Sequence, residues 1–226
     1  MKTKNLLLLL FVLLTLLESF QCARDQYSNC ASFKNDTLLF NCKIPVASAV
    51  YHVGDTIMFE SMISDNFMPL SGGPSFTREI NQLNFNVQPF AVKTNGTLPE
   101  LQYANVEFNP FVKEGQLQNI GIGGYVFLYK RLTALNSLKI GLIAGRSGLY
   151  VVQCRNSQYS YDGDITIYNQ ADACTTYRGV TNFLPAEQNR NYWDSIGVTA
   201  LSLAPNYGNT TIAKSMRNYL FFKVIP

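Results

Sequence analysis

Polar and apolar residues alternate along much of the chain, and this pattern predicts β-strands. Leu83, Phe85 and Val87 fall on one side of a segment whose other side carries Asn84 and Asn86. A period of two is typical of a strand with one face in the core and the other in water. We therefore expect the three apolar residues to point inward and the two asparagines to point outward.

Similar short segments recur between turn residues. The segments predicted as strands are 38–43, 56–63, 83–87, 106–108, 125–130, 138–144, 149–154, 165–168 and 219–225. Residues 138–154 resemble a β-hairpin, with two alternating segments around a turn at 145–148. Short helices are expected near the C-terminus, at 185–195 and near 212–216. About ten short strands with little helix predict an all-β fold, an antiparallel β-sandwich with one or two short helices near the C-terminus.

The first 21 residues have the pattern of an export signal. Lys2 and Lys4 precede an apolar stretch, residues 6–17, which is interrupted only by Thr15. A bilayer-spanning helix needs about 20 apolar residues, so this stretch predicts a cleaved leader and not a permanent anchor. We expect a signal peptide over 1–21 and a single β-sandwich domain over 22–226. The expected location is the periplasm, the outer membrane or the extracellular space.

The chain has five cysteines, and an odd number cannot all pair within it. Cys22 lies at the expected cleavage site, where it is a candidate for lipidation and hence membrane anchoring; alternatively, cleavage removes it or it stays unpaired. Cys30, Cys42, Cys154 and Cys174 then allow two disulfides in three possible pairings. Sequence proximity favours Cys30–Cys42 and Cys154–Cys174, but spacing alone leaves the other pairings open.

Composition excludes two classes of protein. Charged residues make up 15% of the chain and the formal net charge is +3, while 47% of residues are hydrophobic. A nucleic-acid-binding protein would carry a stronger positive field. A disordered chain would have fewer apolar residues and more net charge. A folded domain with no nucleic-acid partner is expected.

Several segments carry a resemblance to known proteins: 53–57 (VGDTI), 138–150, the segment around Cys174, and 218–224 (NYLFFKV). Together they resemble a loose group of uncharacterised secreted, lipoprotein-like proteins from Bacteroidota. The resemblance implies export and a β-rich domain. It implies no activity, and so it assigns no catalytic residue.

His52 is the only histidine, so it is the only residue available for a Ser-His-Asp or Cys-His mechanism. Asp55 follows three residues later, but no GxSxG motif is present. A surface position beside a turn is the favoured interpretation of His52. The segment Gly121–Gly124 lacks the ending of a P-loop and is expected to be a turn.

Acidic residues offer two further hypotheses. Asp162 and Asp164 flank a glycine, and together with Asp172 they form a weak candidate calcium site. An Asp-Gly turn explains the same residues, and the EF-hand spacing is missing. Some pair of the chain's carboxylates will lie close enough for glycoside hydrolysis, although no recognisable motif contains one and Trp193 is the only tryptophan.

A set of aromatic residues is the remaining feature with a functional interpretation. The set consists of Tyr125, Phe127, Tyr129, Tyr150, Tyr159, Tyr161 and Tyr168. Exposed, they would make an adaptable binding surface; packing of the strands is the favoured alternative.

The leading hypothesis is therefore an exported, non-enzymatic binding or scaffolding module at the cell envelope or surface. Its partner would be an extracellular protein, a glycan or a small ligand, and no catalytic residue, metal or cofactor is predicted. The alternatives are a hydrolase that cleaves an extracellular polymer through a carboxylate pair, and a carrier of a small apolar ligand.

Overall fold

The computed structural model describes residues 34–46, 48–95, 98–121, 123–157, 166–169, 172–184, 200–203, 211–213 and 219–226. The predicted signal peptide, Cys22, Cys30 and the predicted helix at 185–195 lie outside these ranges. Within them, no helix is long and apolar enough to cross a membrane.

The described residues form eighteen strands and one short 3-10 turn at Asn105–Glu107. The strands are β1 Lys34–Lys43, β2 Val50–His52, β3 Thr56–Ser64, β4 Asn66–Phe67, β5 Phe76–Thr77, β6 Asn84–Asn95, β7 Leu98–Tyr103, β8 Phe108–Glu114, β9 Gln116–Gly121, β10 Gly124–Leu128, β11 Lys130–Arg131, β12 Leu135–Ala144, β13 Gly148–Ser157, β14 Thr166–Asn169, β15 Asp172–Leu184, β16 Ala200–Leu203, β17 Thr211–Ala213 and β18 Tyr219–Ile225.

Two large sheets contain most of these strands. The first sheet has the order β11-β12-β3-β1-β15-β14, and β8 also pairs with β12. The second has the order β17-β16-β7-β6-β13-β18-β2, and β10 pairs with both β6 and β9. Strands β4 and β5 form a separate two-stranded ribbon. The prediction of an all-β fold is confirmed.

The core lies between the two sheets. Leu38 and Phe59 of the first sheet and Phe85, Tyr150 and Phe222 of the second belong to one apolar cluster, and none is more than 1% exposed. Each such side chain contributes roughly 1.5–3 kcal/mol by leaving water. Facing sheets that share one core are the defining arrangement of a β-sandwich.

The predicted antiparallel β-sandwich needs one correction, because both large sheets are mixed. Strands β1 and β15 run parallel in an unbroken register from Lys34↔Thr175 to Lys43↔Leu184. Strands β16 and β7, and β18 and β2, are also parallel. Alternation identifies which face of a strand is buried, but it does not fix the direction of the neighbouring strand.

The predicted hairpin at 138–154 is also wrong. Strand β12 pairs with β3, β8 and β11 in the first sheet, whereas β13 pairs with β6 and β18 in the second. The segment between them therefore carries the chain from one sheet to the other. The alternation within each segment does mark buried positions: Ile140 and Leu142 of β12 and Tyr150 and Val152 of β13 are all fully buried.

The prediction that Asn84 and Asn86 face water is wrong. Asn84 and Asn86 are only 5% and 9% exposed, so the second face of β6 is covered and not wet. That face carries a separate apolar cluster, which includes Phe90 of β6 and, on the neighbouring strands, Leu101 of β7 and Val151 of β13. The alternating pattern therefore identified the polar face of β6 but did not show that this face is covered.

The local assignments near 106 and 212 are wrong as well. Val106 is 89% exposed in the 3-10 turn, and the strand begins only at Phe108. Ile212 and Ala213 pair with β16 as part of β17, so the described start of the predicted helix near 212–216 is a strand. No α-helix occurs in the part of the chain that the structure describes.

The predicted turn at Gly121–Gly124 is confirmed, since Gly121 ends β9 and pairs with Gly124 at the start of β10. Gly124 has a φ of +157°, and a Cβ at this position would lie 2.2 Å from the carbonyl oxygen of Val87 on β6. The close approach of two strands therefore requires glycine here, with no role for a phosphate-binding loop.

Candidate functional site: a groove beside strand β1

Strand β1 is paired very differently along its two sides. All ten of its residues pair with β15, but only Cys42↔Ser61 and Lys43↔Glu60 pair with β3. Beyond Cys42 and Ser61 the β1–β3 ladder ends, although both strands continue. The first sheet is thus open between β1 and the C-terminal end of β3.

A groove occupies this opening. Residues 38–41 of β1, residues 62–64 of β3 and residues 66–68 line it, and its volume is about 220 Å³. Met62 and Met68 are 65% and 75% exposed, which is unusual for large apolar side chains. Methionine is flexible and polarizable, so it adapts to partners of different shape.

Aromatic rings support the groove from the core side. Phe40 and Phe67, which line it, have ring centroids 6.0 Å apart. Phe67 packs against Phe76 at 5.6 Å, and Phe76 packs against Tyr177 of β15 at 4.5 Å. This row of rings joins the ribbon β4–β5 to the closed side of β1, and so fixes one wall of the groove.

The loop after β4 is fastened to the edge of β1. The Leu70 N–H donates to the Thr37 carbonyl oxygen at 2.8 Å, and the Ser71 hydroxyl donates to the Asp36 carboxylate. Asp36 also accepts from the Thr37 N–H at 2.7 Å. These hydrogen bonds, that from Ser71 above all, lower the pKa of Asp36.

A second anchor holds the other end of this region. The Arg131 guanidinium donates to both carboxylate oxygens of Asp65, at 2.7 and 2.5 Å, and lies 3.4 Å from Glu79. Asp65, which follows β3 directly, is only 8% exposed. Its carbonyl oxygen accepts from the Arg78 N–H at 2.8 Å. A bidentate arginine pair with low exposure gives geometric rigidity.

The groove offers two strand edges to a partner. Among the described residues, two hydrogen bonds close part of it: Leu70 to Thr37, and the Ser61 hydroxyl to the Asn41 carbonyl oxygen at 3.2 Å. A strand edge that lacks a neighbour along most of its length is a template for an added strand. Exposed apolar side chains beside such an edge are suited to an extended peptide.

The residues that the sequence singled out for acid–base chemistry lie elsewhere or serve structure. His52 and Asp55 form an exposed turn in which the His52 N–H donates to the Asp55 carboxylate at 2.7 Å. Their side chains are 62% and 49% exposed, and the imidazole lies 3.7 Å from the carboxylate. This arrangement agrees with the surface interpretation of His52.

Among the described residues, two carboxylates come together around an arginine. Asp65 and Glu79 converge on Arg131, which suits anchoring of a loop. A glycosidase instead needs one carboxyl that holds its proton and one that does not. Nothing in this pair favours hydrolysis.

The calcium prediction remains a prediction. Asp162 and Asp164 lie outside the described residues, and Asp172 opens β15 with a side chain that is likewise outside them. Where the structure does describe side chains, no three His, Cys, Asp or Glu residues group as metal ligands.

The aromatic set is part of the core wherever its side chains are described. Tyr125, Phe127, Tyr129 and Tyr150 are each at most 4% exposed, which confirms the packing interpretation for these four. The side chains of Tyr159, Tyr161 and Tyr168 lie outside the described residues.

Sequence reasoning missed the groove. Some local features were visible in the sequence: Met62 lies on the opposite side of strand 56–63 from Ile63, and Pro69 and Gly72 indicate a loop. The opening itself depends on which strands pair and where a ladder stops, and this is a property of the tertiary structure.

The fold and the groove together define a two-sheet, all-β protein with an open strand edge. No family model matches the chain, and no curated protein matches it. A solved structure, the CupB6 tip adhesin from Pseudomonas aeruginosa, is similar at 15% identity and a TM-score of 0.28. That match covers 68% of this chain and 43% of the adhesin chain, so this chain spans less than half the adhesin's length. At this TM-score the similarity carries no conclusion about function.

Proposed function

We propose that this protein is an exported, non-enzymatic binding module that takes up an extended segment of an extracellular protein as an added strand beside β1. The observation that carries the proposal is the early end of the β1–β3 ladder, which has two residue pairs where the β1–β15 ladder has ten. The added strand would lie in the groove formed by residues 38–41 and 62–64.

The chemistry of the groove suits a peptide better than the other partners considered. Backbone N–H and C=O groups of an added strand supply affinity, and alternate side chains supply specificity. Four residues of β1 span about 13 Å, so the groove accommodates about four residues of a partner strand. Met62 and Met68 add exposed apolar side chains to the groove, and these suit alternate side chains of an extended peptide.

The location of this activity follows from the sequence. The leader at 1–21 supports export to the periplasm, the outer membrane or the extracellular space. Lipidation of Cys22 would hold the module at a membrane surface, and the groove would then face partners in that compartment.

Hydrogen exchange on the mature protein tests the proposal. The probe is a synthetic octapeptide that alternates valine and threonine, added at up to millimolar concentration. We expect slower exchange of the amides in 38–41 and 62–64, with little change in β15, which is already paired. Unchanged exchange in both groove segments, or protection elsewhere only, would contradict strand addition. Protection of the groove by a neutral oligosaccharide and not by the peptide would show a glycan site instead.

A matched pair of variants locates the site. Met62→Arg places a charge in the groove and should weaken binding of the octapeptide at least tenfold. Val106→Arg places the same charge at a smaller but even more exposed apolar residue outside the groove lining, and should leave binding unchanged. Equal effects of the two substitutions would place the binding site elsewhere.

A further inference from the structure

Two cysteines lie in the core between the sheets. Cys42 on β1 of the first sheet and Cys154 on β13 of the second are both fully buried, and both belong to the same core cluster. They are held as free thiols in the structure. Two inward-facing cysteines on packed sheets have the arrangement of an inter-sheet disulfide.

The hydroxyl of Tyr129 contacts a neighbour of each cysteine. It lies 2.9 Å from the Ser61 hydroxyl, and Ser61 is the residue paired with Cys42. It also donates to the Asn156 side-chain oxygen at 2.8 Å, and Asn156 follows Cys154 by two residues on the same inward face. Burial, and after it the Cys42 thiol, raise the pKa of Cys154, as expected for neighbours in a dry core.

Strand lengths argue against a bond between Cys30 and Cys42. Cys42 lies eight residues after Lys34 within the continuous strand β1, which is about 26 Å at the usual rise. Cys30 precedes Lys34 by four residues and is at most about 14 Å from it in any conformation. At least about 12 Å separates the two Cα atoms, whereas a disulfide needs less than about 7 Å.

The same reasoning applies to Cys154 and Cys174. The Asn156 side chain donates to the Thr181 hydroxyl at 2.8 Å, which fixes β13 against β15 at this point. Cys174 lies seven residues from Thr181 along β15, about 23 Å, while Cys154 lies only about 7 Å from Asn156. Across this hydrogen bond the Asn156 and Thr181 Cα atoms are at most about 9 Å apart. The Cα atoms of Cys154 and Cys174 are therefore at least about 7 Å apart, beyond the usual range for a disulfide.

From these distances we infer that Cys42 and Cys154 form a disulfide that joins the two sheets of the mature, exported protein. This pairing leaves Cys30 and Cys174 for each other, and the β1–β15 register is compatible with it because Lys34 lies opposite Thr175. Each thiol gives up one proton and one electron, and the oxidant is a disulfide-bearing thiol oxidoreductase, whose own disulfide is reduced to two thiols.

The burial of both thiols sets the time at which the bond forms. An oxidant cannot reach side chains that are fully buried, so exchange takes place before the two sheets close on each other. Once formed, the bond is shielded from reductants by the same core. It closes a loop of more than 100 residues, and cross-links over loops of that size restrict the unfolded chain strongly.

Peptide mapping of the exported protein tests the inference. The protein is alkylated in denaturant without reduction, digested and analysed by mass spectrometry. We expect a linked peptide pair that contains Cys42 and Cys154. Linked pairs of Cys30 with Cys42 or Cys154 with Cys174, or full alkylation of Cys42 and Cys154, would overturn it.

A variant with three substitutions gives a second readout. C22S/C30S/C174S retains only Cys42 and Cys154, so a single intramolecular bond is available. After oxidative refolding in a glutathione buffer, we expect no free thiol in denaturant and a melting temperature about 10–20 °C above that of the reduced form. Two free thiols per chain after the same refolding would contradict the inference.

The control variant is C22S/C30S/C154S/C174S, which retains only Cys42. Its melting temperature should not respond to reduction, because no intramolecular disulfide can form. An equal response in the two variants would show that the bond between the sheets is not what stabilises the protein.

Discussion

Strand β1 has one edge that is paired along its full length and one that is mostly unpaired. We call these its closed side and its open side. On the closed side, β15 pairs with it along its full length, in parallel. On the open side, β3 accompanies it for two residue pairs and then departs. Both sides belong to the same strand, so composition cannot explain the difference. What differs is the direction and the length of the neighbour, and these decide which edge stays available to a partner.

The inward residues of β1 are buried regardless of pairing. Leu38, Phe40 and Cys42 are at most 3% exposed, including those beside the groove. The groove therefore opens the hydrogen-bonding edge of the sheet without opening its core. A protein built in this way can expose a strand edge and still keep most of its stabilising burial.

The largest expected contrast is between the core of the closed side and the rim of the open side. Phe183, paired with Cys42 and only 1% exposed, packs against Phe59 with centroids 6.0 Å apart. Phe183→Ala should cost about 3–5 kcal/mol of unfolding free energy, because it leaves a cavity. Met62→Ala should cost no more than about 0.5 kcal/mol, because this side chain is mostly in water. Urea denaturation measures both, and similar losses would contradict the distinction.

An intermediate effect is expected where the two sides separate. Tyr129 contacts Ser61, the last paired residue of β3 before the groove, and Asn156 on the opposite sheet. Tyr129→Phe removes a hydroxyl from a buried network and leaves the Asn156 side-chain oxygen without this donor. The expected loss is about 1–3 kcal/mol in the same denaturation experiment.

Tyr125→Phe is the matched control, because the Tyr125 hydroxyl lies within hydrogen-bond distance of the backbone carbonyl oxygens of Asn105 and Phe108, away from β1. It should also destabilise, but it should not change hydrogen exchange in residues 38–41. If Tyr129→Phe leaves exchange there unchanged as well, Tyr129 does not brace the groove.

The smallest effect concerns the loop on the rim and depends on pH. Hydrogen bonds from Ser71 and Thr37 lower the pKa of Asp36 in the folded protein. A lowered folded-state pKa means that this stabilisation is complete above the unfolded value of about 3.9 and is lost as pH falls through the folded value. Proteolysis of the loop at 69–75 should therefore be constant from pH 7 to 5 and increase below about pH 4.

Asp36→Asn should raise loop proteolysis at pH 7 and remove most of its dependence on acid. Asp55→Asn, in an exposed turn, is the control and should leave the loop as it is. An unchanged acid dependence in Asp36→Asn would assign the effect to another group.

The faces of strands were predictable from sequence, and their neighbours were not. The segment 56–63 was predicted as a strand, and Ile57, Phe59 and Ile63, which share one side of it, are all buried. Alternation records contact with the core, which each strand makes by itself. The segments before and after Gly145 showed equally clear alternation, yet they belong to different sheets. Pairing depends on residues far away in the chain, so a local pattern does not contain it.

The cysteines illustrate the same limit from another direction. Sequence proximity favours the short loops Cys30–Cys42 and Cys154–Cys174. A strand, however, rises about 3.3 Å per residue, so two cysteines that are close in sequence can be far apart in space. The groove was unpredictable for a related reason, since it is the place where a ladder ends and no residue type marks it.

The long parallel pairing of β1 also has a consequence for the order of events during synthesis. Its partner, β15, begins about 140 residues later in the chain. As the polypeptide emerges from the ribosome, β1 arrives early and must remain unpaired on that side until β15 follows. Contacts between such distant segments form slowly, and an unpaired edge is prone to aggregation while it waits. A chaperone that covers this edge of β1 until β15 pairs with it would reduce aggregation during that time.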